Sequence, residues 1–532
     1  MKRDAFTLEV FRNLVSSVAE EMGVALHHTA FSPNIKERKD HSCAVFDPEG
    51  RLVAQAEHIP VHLGAMPETV RVVLERFDLQ PGDLVVLNDP FLGGTHLPDI
   101  SMVSPVFHDG DIVGLLASRA HHSDVGGLAP GSLGLTRDIY QEGLVIPPVL
   151  LSKAGDYNRE VEEFICSNSR TPREREGDLQ AQAGAHAVGS RRLADMAGKY
   201  GHGPLLARFE DLMRYSEELT RLALAEIPTG NYSFTDYLDD DGFSEHMIPI
   251  RVSVTVSRGR ARVDFTGTSP GVVGPLNCPR AVTLSATYYV FRCITGEEVP
   301  ANDGAFRPVE IVIPEGCLLD ARRPQPVCGG NVETSQRVVD ALLGALSAAL
   351  PGKIPAASYG TMSNLAIGSA PGGTAFSYYE TIAGGTGGHP LARGSSGTHA
   401  HMTNTLNTPI EALEYSYPLR VKRYQIRRGS GGSGEHRGGD GLEREIEFLE
   451  NCRVTLLSDR RSSGPWGLAG GGAGKPGRDY LVVDGRASRL PSKCTFDAGI
   501  GDIVRVNTPG GGGWGKKKVS PKTPRRPKAR GS

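Results

Sequence analysis

Leu87-Asn-Asp-Pro-Phe-Leu-Gly-Gly-Thr-His-Leu-Pro-Asp-Ile-Ser101, followed by Arg119-Ala-His-His-Ser-Asp-Val-Gly-Gly127, packs His96, Asp99, His121, His122 and Asp124 into 29 residues that otherwise read as strand and turn. Imidazole and carboxylate together are the ligand mix of a borderline or hard divalent cation, Zn, Mn, Fe or Co, whereas a soft-metal or cluster site would bring cysteines close by. Pro98 biases Leu97 away from the helical region, so His96 and Asp99 converge on a turn. Residues 100–107, the turn 108–111 and residues 112–120 read as a hairpin. Alternation along its second strand puts His121 on the face of Arg119 and Ala117 and His122 on the opposite face. At most one of the two histidines therefore points into a given site. With His121 at the strand end, His96, Asp99 and His121 make a three-ligand site with open positions, as a catalytic metal requires. Surface polar residues or hydrogen-bonded core histidines are the plain alternative.

Working outward, Phe6, Val10, Phe11, Leu14, Val15 and Val18 recur at three- and four-residue spacing and predict a core-facing helix over residues 6–26. It leads into Ser32-Pro-Asn-Ile-Lys-Glu-Arg-Lys-Asp40, which adds Glu37 and Asp40, two carboxylates that, taken alone, read as a solvated charged loop. Residues 43–46 and 51–54 flank Asp47-Pro-Glu-Gly50 and predict a second hairpin. Strong helix formers over 158–226 predict two or three helices. Strands return at 251–256 and 261–265, and a helix is expected over 334–350, ended by Pro351-Gly352. From about residue 415, short strands separated by glycine-rich turns suggest a β-rich C-terminal part. The chain has 66 glycines, clustered at 384–388, 429–442, 467–474 and 510–515, which read as tight turns between strands.

The 58 basic and 61 acidic residues leave a net charge of −3, with no global reason for a nucleic-acid or membrane partner. The balance hides an asymmetry. Residues 516–532 carry eight Lys or Arg and no acid, so residues 1–515 stand at −11. That basic, proline-rich tail predicts a disordered, solvated segment. The eight cysteines are scattered without a C-x-x-C, which favours a reducing cytosol over disulfides. The N-terminus mixes Glu9, Arg12 and Asn13 into what would be the apolar part of a signal peptide. No window approaches the roughly 18–20 apolar residues of a membrane span. A soluble, cytoplasmic protein is expected.

A phosphate-binding loop would mark ATP use within this chain. Residues 510–516 satisfy the first seven positions of G-x-x-x-x-G-K-[ST], but Lys517 stands where Ser or Thr is needed, and the proline-rich tail cannot supply the following helix. If ATP is used, another polypeptide is expected to bind it. There is no G-x-S-x-G elbow, and no cysteine lies in an activating motif, Cys328 before Gly329-Gly-Asn-Val-Glu333 included.

Several separated stretches together resemble the hydantoinase B/oxoprolinase family, which includes components of ATP-dependent N-methylhydantoinase and 5-oxoprolinase and the large subunits of acetone and acetophenone carboxylases. They are Ile35-Lys-Glu-Arg-Lys-Asp40, Asn88-Asp-Pro-Phe-Leu-Gly-Gly-Thr-His-Leu-Pro-Asp99, His121-His-Ser-Asp-Val-Gly126, Tyr140-Gln-Glu-Gly143, Gly177-Asp-Leu-Gln-Ala-Gln182, Asp264-Phe-Thr-Gly-Thr268, Gly330-Asn-Val-Glu-Thr334, His401-Met-Thr-Asn-Thr-Leu-Asn-Thr-Pro-Ile-Glu411, Arg437-Gly-Gly-Asp-Gly441 and Thr508-Pro-Gly-Gly-Gly-Gly513. The resemblance implies a mixed α+β, multi-layer fold with a central helical segment and a β-rich C-terminal part. The divisions expected within a catalytic region 1–515 are an N-terminal metal-site part to about 157, helices over 158–230, an α/β part over 231–411 and a β-rich part over 412–515.

The resemblance further implies a division of labour. A partner, a hydantoinase A-like ATPase subunit, binds ATP-Mg and phosphorylates a carbonyl substrate, and the present chain holds the metal centre that processes it. Carried over, the metal ligands are His96, Asp99 and His121 with Glu37 as a further carboxylate. Asp124, His122 and Asp40 are then candidates to take a proton, Asp40 and Asp124 also being spare carboxylates for a second ion or for orienting the ligands. The substrate implied is a cyclic amide, with a ketone in a carboxylase as the alternative and a non-catalytic scaffold as a third reading. His122 and the basic tail depart from the family pattern.

Overall fold

The computed structural model describes residues 5–56, 59–370, 372–373 and 375–517. Most of the tail expected to be disordered, 518–532, lies outside the described residues. The first helix runs over Ala5–Thr29 and buries Val15, Val18, Ala19, Met22 and Leu26, the spacing of one helical face. Both expected hairpins form, His41–Phe46 with Leu52–Ala56 and Asp99–His108 with Asp111–His121. They join an antiparallel sheet of seven strands, in the order Leu52–Ala56, His41–Phe46, Asp111–His121, Asp99–His108, Leu84–Leu87, Val149–Lys153, Asp156–Tyr157.

Both faces of this sheet are covered, which is why its central strands read as apolar runs. Cys43, Val45, Leu116 and Ala120 pack with the helices Ala5–Thr29 and Pro172–Tyr200. Ala44, Phe46, Leu115 and Ala117 pack with Met66, Val70 and Val73 of the helix Ala65–Arg76. The central segment holds three helices, Arg159–Ser167, Pro172–Tyr200 and His202–Ala225. Pro172 opens the longest of them at a first-turn position where its missing N–H costs nothing.

A four-stranded sheet follows, in the order Val309–Val312, Arg260–Asp264, Ile248–Ser257, Gly230–Leu238. Along Ile248–Ser257 the alternation is clean: Ile248, Ile250, Val252, Val254 and Val256 are buried on one face. That face packs against the helices Arg280–Thr295 and Ser335–Leu346. No sequence pattern anticipates Arg280–Thr295, whose Ala/Val/Thr-rich stretch has little helical propensity; burial of Val282, Ala286, Val290 and Phe291 overrides that. The helix expected at 334–350 is Ser335–Leu346, entered through a wider π turn at Gly330–Thr334.

The C-terminal part is a sandwich of a four-stranded and a five-stranded sheet around one apolar core. Its strands Asn364–Ser369 and Ser377–Glu380 come from upstream of residue 412; they pair with each other, and Asn364–Ser369 pairs on its other side with Cys452–Leu457. Between the sheets and the middle of the molecule the four glycine clusters converge, and they are not the tight turns their composition suggests. Among the glycines of these clusters only Gly429, Gly470 and Gly515 have positive φ. The rest run side by side and hydrogen-bond as backbones: Gly432 N–H to Gly511 O at 2.8 Å, Gly511 N–H to Gly439 O at 2.9 Å, Gly388 N–H to Gly512 O at 2.8 Å, Gly513 N–H to Gly472 O at 2.8 Å. Glycine is needed for close approach rather than for bending.

Candidate metal centre

The loop 88–99 is pinned before it reaches its histidine. Asn88 donates to the carbonyls of Leu97 and Leu144 at 2.7 and 3.0 Å and accepts from Ile146 N–H at 2.6 Å. Asp89 caps the turn at Phe91, and Arg119 ties the loop from below through Gly93 O at 3.0 Å. Asp99 is then the first residue of one strand and His121 the last of its neighbour, and the two are cross-strand partners. His96 sits three residues earlier on a turn closed by Asp99 N–H to His96 O at 3.0 Å.

Three donor atoms meet as a result. His96 Nε2 and His121 Nδ1 are 3.1 Å apart, His121 Nδ1 and Asp99 Oδ1 2.9 Å, and His96 Nε2 and Asp99 Oδ1 3.1 Å. Three ligands about 2.1 Å from one ion and at right angles to one another would stand about 3 Å apart, so this triangle has the size of one face of a coordination shell. All three residues are at most 2 % exposed. Burial disfavours charge on His96, but Asp99 outweighs it and raises the imidazole; on His121 burial wins and lowers it. Burial also opposes ionised Asp99, yet the charge of His96 and hydrogen bonds from His121, His62 and His96 hold its carboxyl well below the usual range. The donor set, one anionic oxygen and two imidazoles, fits a divalent cation.

Around the triangle is a small cavity of about 20 Å³, enough for an ion or a water and too small for a substrate. Two of its residues carry no signal in the sequence. His62, on the turn Pro60–His62, brings Nε2 to 3.7 Å from Asp99 Oδ2, its Nδ1 held by Ser42 Oγ at 2.9 Å. Tyr379 stacks on His121 with ring centroids 4.8 Å apart, and its hydroxyl donates to Asn364 Oδ1 at 2.8 Å. Thr95 adds a short 2.5 Å hydrogen bond to Asp99 Oδ2.

Of the remaining residues singled out in the sequence, Asp40 lines the cavity, and its carbonyl accepts His121 N–H at 2.9 Å. Glu37 is half-buried just after the short helix Pro33–Lys36 and is not among the three converging ligands. Asp124 accepts from Gly126 N–H, Gly131 N–H, Arg170 N–H and the Arg170 guanidinium at 2.9–3.2 Å, so it organises a loop. His122 turns away, as strand parity requires, to contact Gln182 Oε1 at 2.9 Å, and burial pushes it down to about 3.

Two further buried carboxyls flank this region. Glu142 accepts from Thr136 Oγ1 and from the N–H groups of Val327 and Cys328. Glu333, in the π turn, accepts from Met362 N–H at 3.0 Å and Asn364 Nδ2 at 2.8 Å. Burial pushes both up to about 7. A carboxyl raised on folding contributes stability that is complete below its unfolded value near 4.5 and is lost as pH rises through 7, up to about 3 kcal/mol per group. Thermal melts between pH 5 and 8 should therefore fall with pH, and the fall should be flatter in a Glu142→Gln/Glu333→Gln double variant. An unchanged slope would show that neither carboxyl is raised.

The α+β chain closes two histidines and an aspartate into a buried triangle at the end of a hairpin, a group with the donor atoms to hold a metal ion. Residues 4–517 match the family described as Hydantoinase B/oxoprolinase, and the chain belongs to that family. It is 40% identical to 5-oxoprolinase 1 of Arabidopsis thaliana over 96% of this chain and 42% of that one. It is 32% identical to the B component of a putative D-/L-hydantoinase of a Pseudomonas species, over 97% of this chain and 90% of that one. Against the two 5-oxoprolinases of Arabidopsis thaliana and Dictyostelium discoideum the chain spans about two-fifths of the length. Among solved structures, the ATP-dependent caprolactamase from Pseudomonas jessenii superimposes with a TM-score of 0.90 at 29% identity, over 97% of this chain and 92% of that one. Acetone carboxylase shares the fold, with a TM-score of 0.86 at 19% identity over 97% and 76% of the two chains. Among the described residues no helix is long and apolar enough to cross a membrane.

Proposed function

We propose that this chain is the metal-holding subunit of an ATP-dependent hydrolase of cyclic amides, working on a carbonyl phosphorylated by a separate ATPase subunit. The observation that carries the reading is the buried triangle of His96, Asp99 and His121, set in a family whose similar members are named for oxoproline and hydantoin. The hydantoinase relative is by name one part of a larger assembly, and the 5-oxoprolinases have more than twice this length; both support a partner that binds ATP-Mg.

An amide resists water because resonance deactivates its carbonyl carbon. Phosphorylation of the oxygen makes the carbon an imidate-like electrophile: one water adds to it, the ring C–N bond breaks as the nitrogen takes a proton, and a second water cleaves the resulting acyl phosphate to the carboxylic acid and phosphate, steps that become feasible near neutrality. A divalent ion held by His96, Asp99 and His121 would lower the pKa of bound water and polarise the reacting group. Asp99 neutralises part of the ion's charge while Thr95 and His62 fix its second oxygen. Asp40, on the cavity wall, would accept the proton that water gives up.

Purification with the partner and assay of ATP cleavage against hydantoins, 5-oxoproline, a lactam and small ketones tests this. Stimulation by cyclic amides with release of the ring-opened acid is the expected result. Stimulation only by ketones with bicarbonate would make the protein a carboxylase.

A further inference from the structure

A second cavity, of about 240 Å³, lies between the helix Ala5–Thr29, the edge strand Leu52–Ala56 and residues 300–302. Asn302 lines it at 1 % exposure, and neither its Oδ1 nor its Nδ2 has a hydrogen-bond partner among the described residues. Gln55, from the edge strand, also lines it, with both carboxamide atoms buried and without a hydrogen-bond partner among the described residues. Buried side-chain amides are almost always paired, so two adjacent unpaired ones mark groups kept for something the fold does not supply. Two cations share the wall. Arg12 also contacts Glu9 at 3.3 Å, and Arg292 donates to Val299 O; each has further N–H donors.

We propose that this cavity binds a small carboxylate that also carries an amide or ureide group. The arginines would take the carboxylate, and the two carboxamides, each a donor and an acceptor, would pair with the C=O and N–H of the amide. Opening a hydantoin ring yields such a molecule, an N-carbamoyl amino acid, so the site is a product-sensing site on the cyclic-amide reading, from which the ligand class is taken.

Calorimetric titration of the full chain, purified with its partner, would use N-carbamoylglycine, acetate and acetamide as probes, in wild type and in a His96→Ala background that removes the contribution of the metal centre. The expected result is binding of N-carbamoylglycine with a Kd of about 1 mM or lower in both backgrounds. Acetate and acetamide should each bind at least about tenfold more weakly, and Asn302→Asp or Gln55→Glu should weaken the carbamoyl acid by a similar factor through carboxylate repulsion. Gln55→Glu, on an edge strand, covers the case in which Asn302→Asp fails to fold. No binding of any probe, or equal binding by wild type and both variants, overturns the site and leaves a water-filled pocket. Intact cyclic-amide turnover without binding sinks the pocket alone; binding without such turnover sinks the hydrolase reading alone.

Discussion

Replacing Asp99 by alanine is expected to abolish retention of a divalent ion and, with it, substrate-stimulated turnover. Asp99 is the one anion of the triangle, and four side chains converge on it: Thr95 at 2.5 Å, His121 at 2.9 Å, His96 at 3.1 Å and His62 at 3.7 Å. Without it, three buried imidazoles lose the anion that contacts all of them, and a cation entering the cavity meets only neutral donors in the triangle, with Asp40 on the wall as the remaining carboxylate. Loss of a group that merely orients a ligand typically costs about 10–100-fold in affinity, and loss of an anionic ligand should exceed that. Metal content after dialysis is the direct measurement. Thermal shift is the second, because an ion present at about 1,000 times its Kd stabilises the folded state by about 4 kcal/mol, a gain the variant should lack. Asp99→Asn keeps the shape and one neutral oxygen and should fall between the two. An Asp99→Ala protein that retains stoichiometric metal and full turnover would remove the triangle from the mechanism.

The triangle is largely legible in the sequence because strand geometry is. Pro98 forces a turn, and the alternation of a strand separates His121 from His122; both follow from local backbone rules, and both hold in the structure. What the sequence cannot show is which distant residues close over the turn. His62 lies 34 positions before His96, on a 3₁₀ turn with no periodic signal, and Tyr379 arrives from another sheet altogether. Glu37 and Asp124 illustrate the opposite limit. A carboxylate near a motif looks like a ligand in one dimension, but Asp124 spends its oxygens on two N–H groups of its own loop and on the N–H and guanidinium of distant Arg170, and nothing local in the sequence announces that.

Fold elements divide in the same way. Helix Ala5–Thr29 and the two hairpins carry periods of 3.6 and 2 that survive in any context. Arg280–Thr295 is a helix through its burial against a sheet, information held by other parts of the chain. Isolated glycines usually mark turns, and the clusters look the same in one dimension; that four of them at distant positions pack on one another is a tertiary fact.

That packing makes Gly511→Ala one of the most damaging single-methyl changes expected in the molecule. A Cβ at position 511 would lie 1.9 Å from Thr386 O, 2.3 Å from its carbonyl carbon and 2.7 Å from Gly387 N. These are backbone atoms, so no rotamer change relieves the clash. The backbones cannot separate without loss of hydrogen bonds either, since Gly511 is held on both sides, its N–H to Gly439 O at 2.9 Å and its carbonyl by Gly432 N–H at 2.8 Å. Overpacking an ordinary core costs about 1–3 kcal/mol; here the cost should exceed about 4 kcal/mol, with little folded protein recovered. The control is Gly184→Ala on the exposed side of the helix Pro172–Tyr200, where a Cβ meets nothing within 4 Å and the higher helical propensity of alanine should stabilise by about 0.5–1 kcal/mol. Soluble yield and thermal melts of the pair separate conformational from steric demand. The consequence extends to the metal cavity, because Gly384 packs on the ring of Tyr359 and Ile382 N–H bonds to Met362 O, so the bundle sets the position of the cavity wall at Met362 and Thr381. A Gly511→Ala protein that melts within a degree or two of wild type would mean that the backbone lattice is slack, and that the cavity wall is positioned by something else.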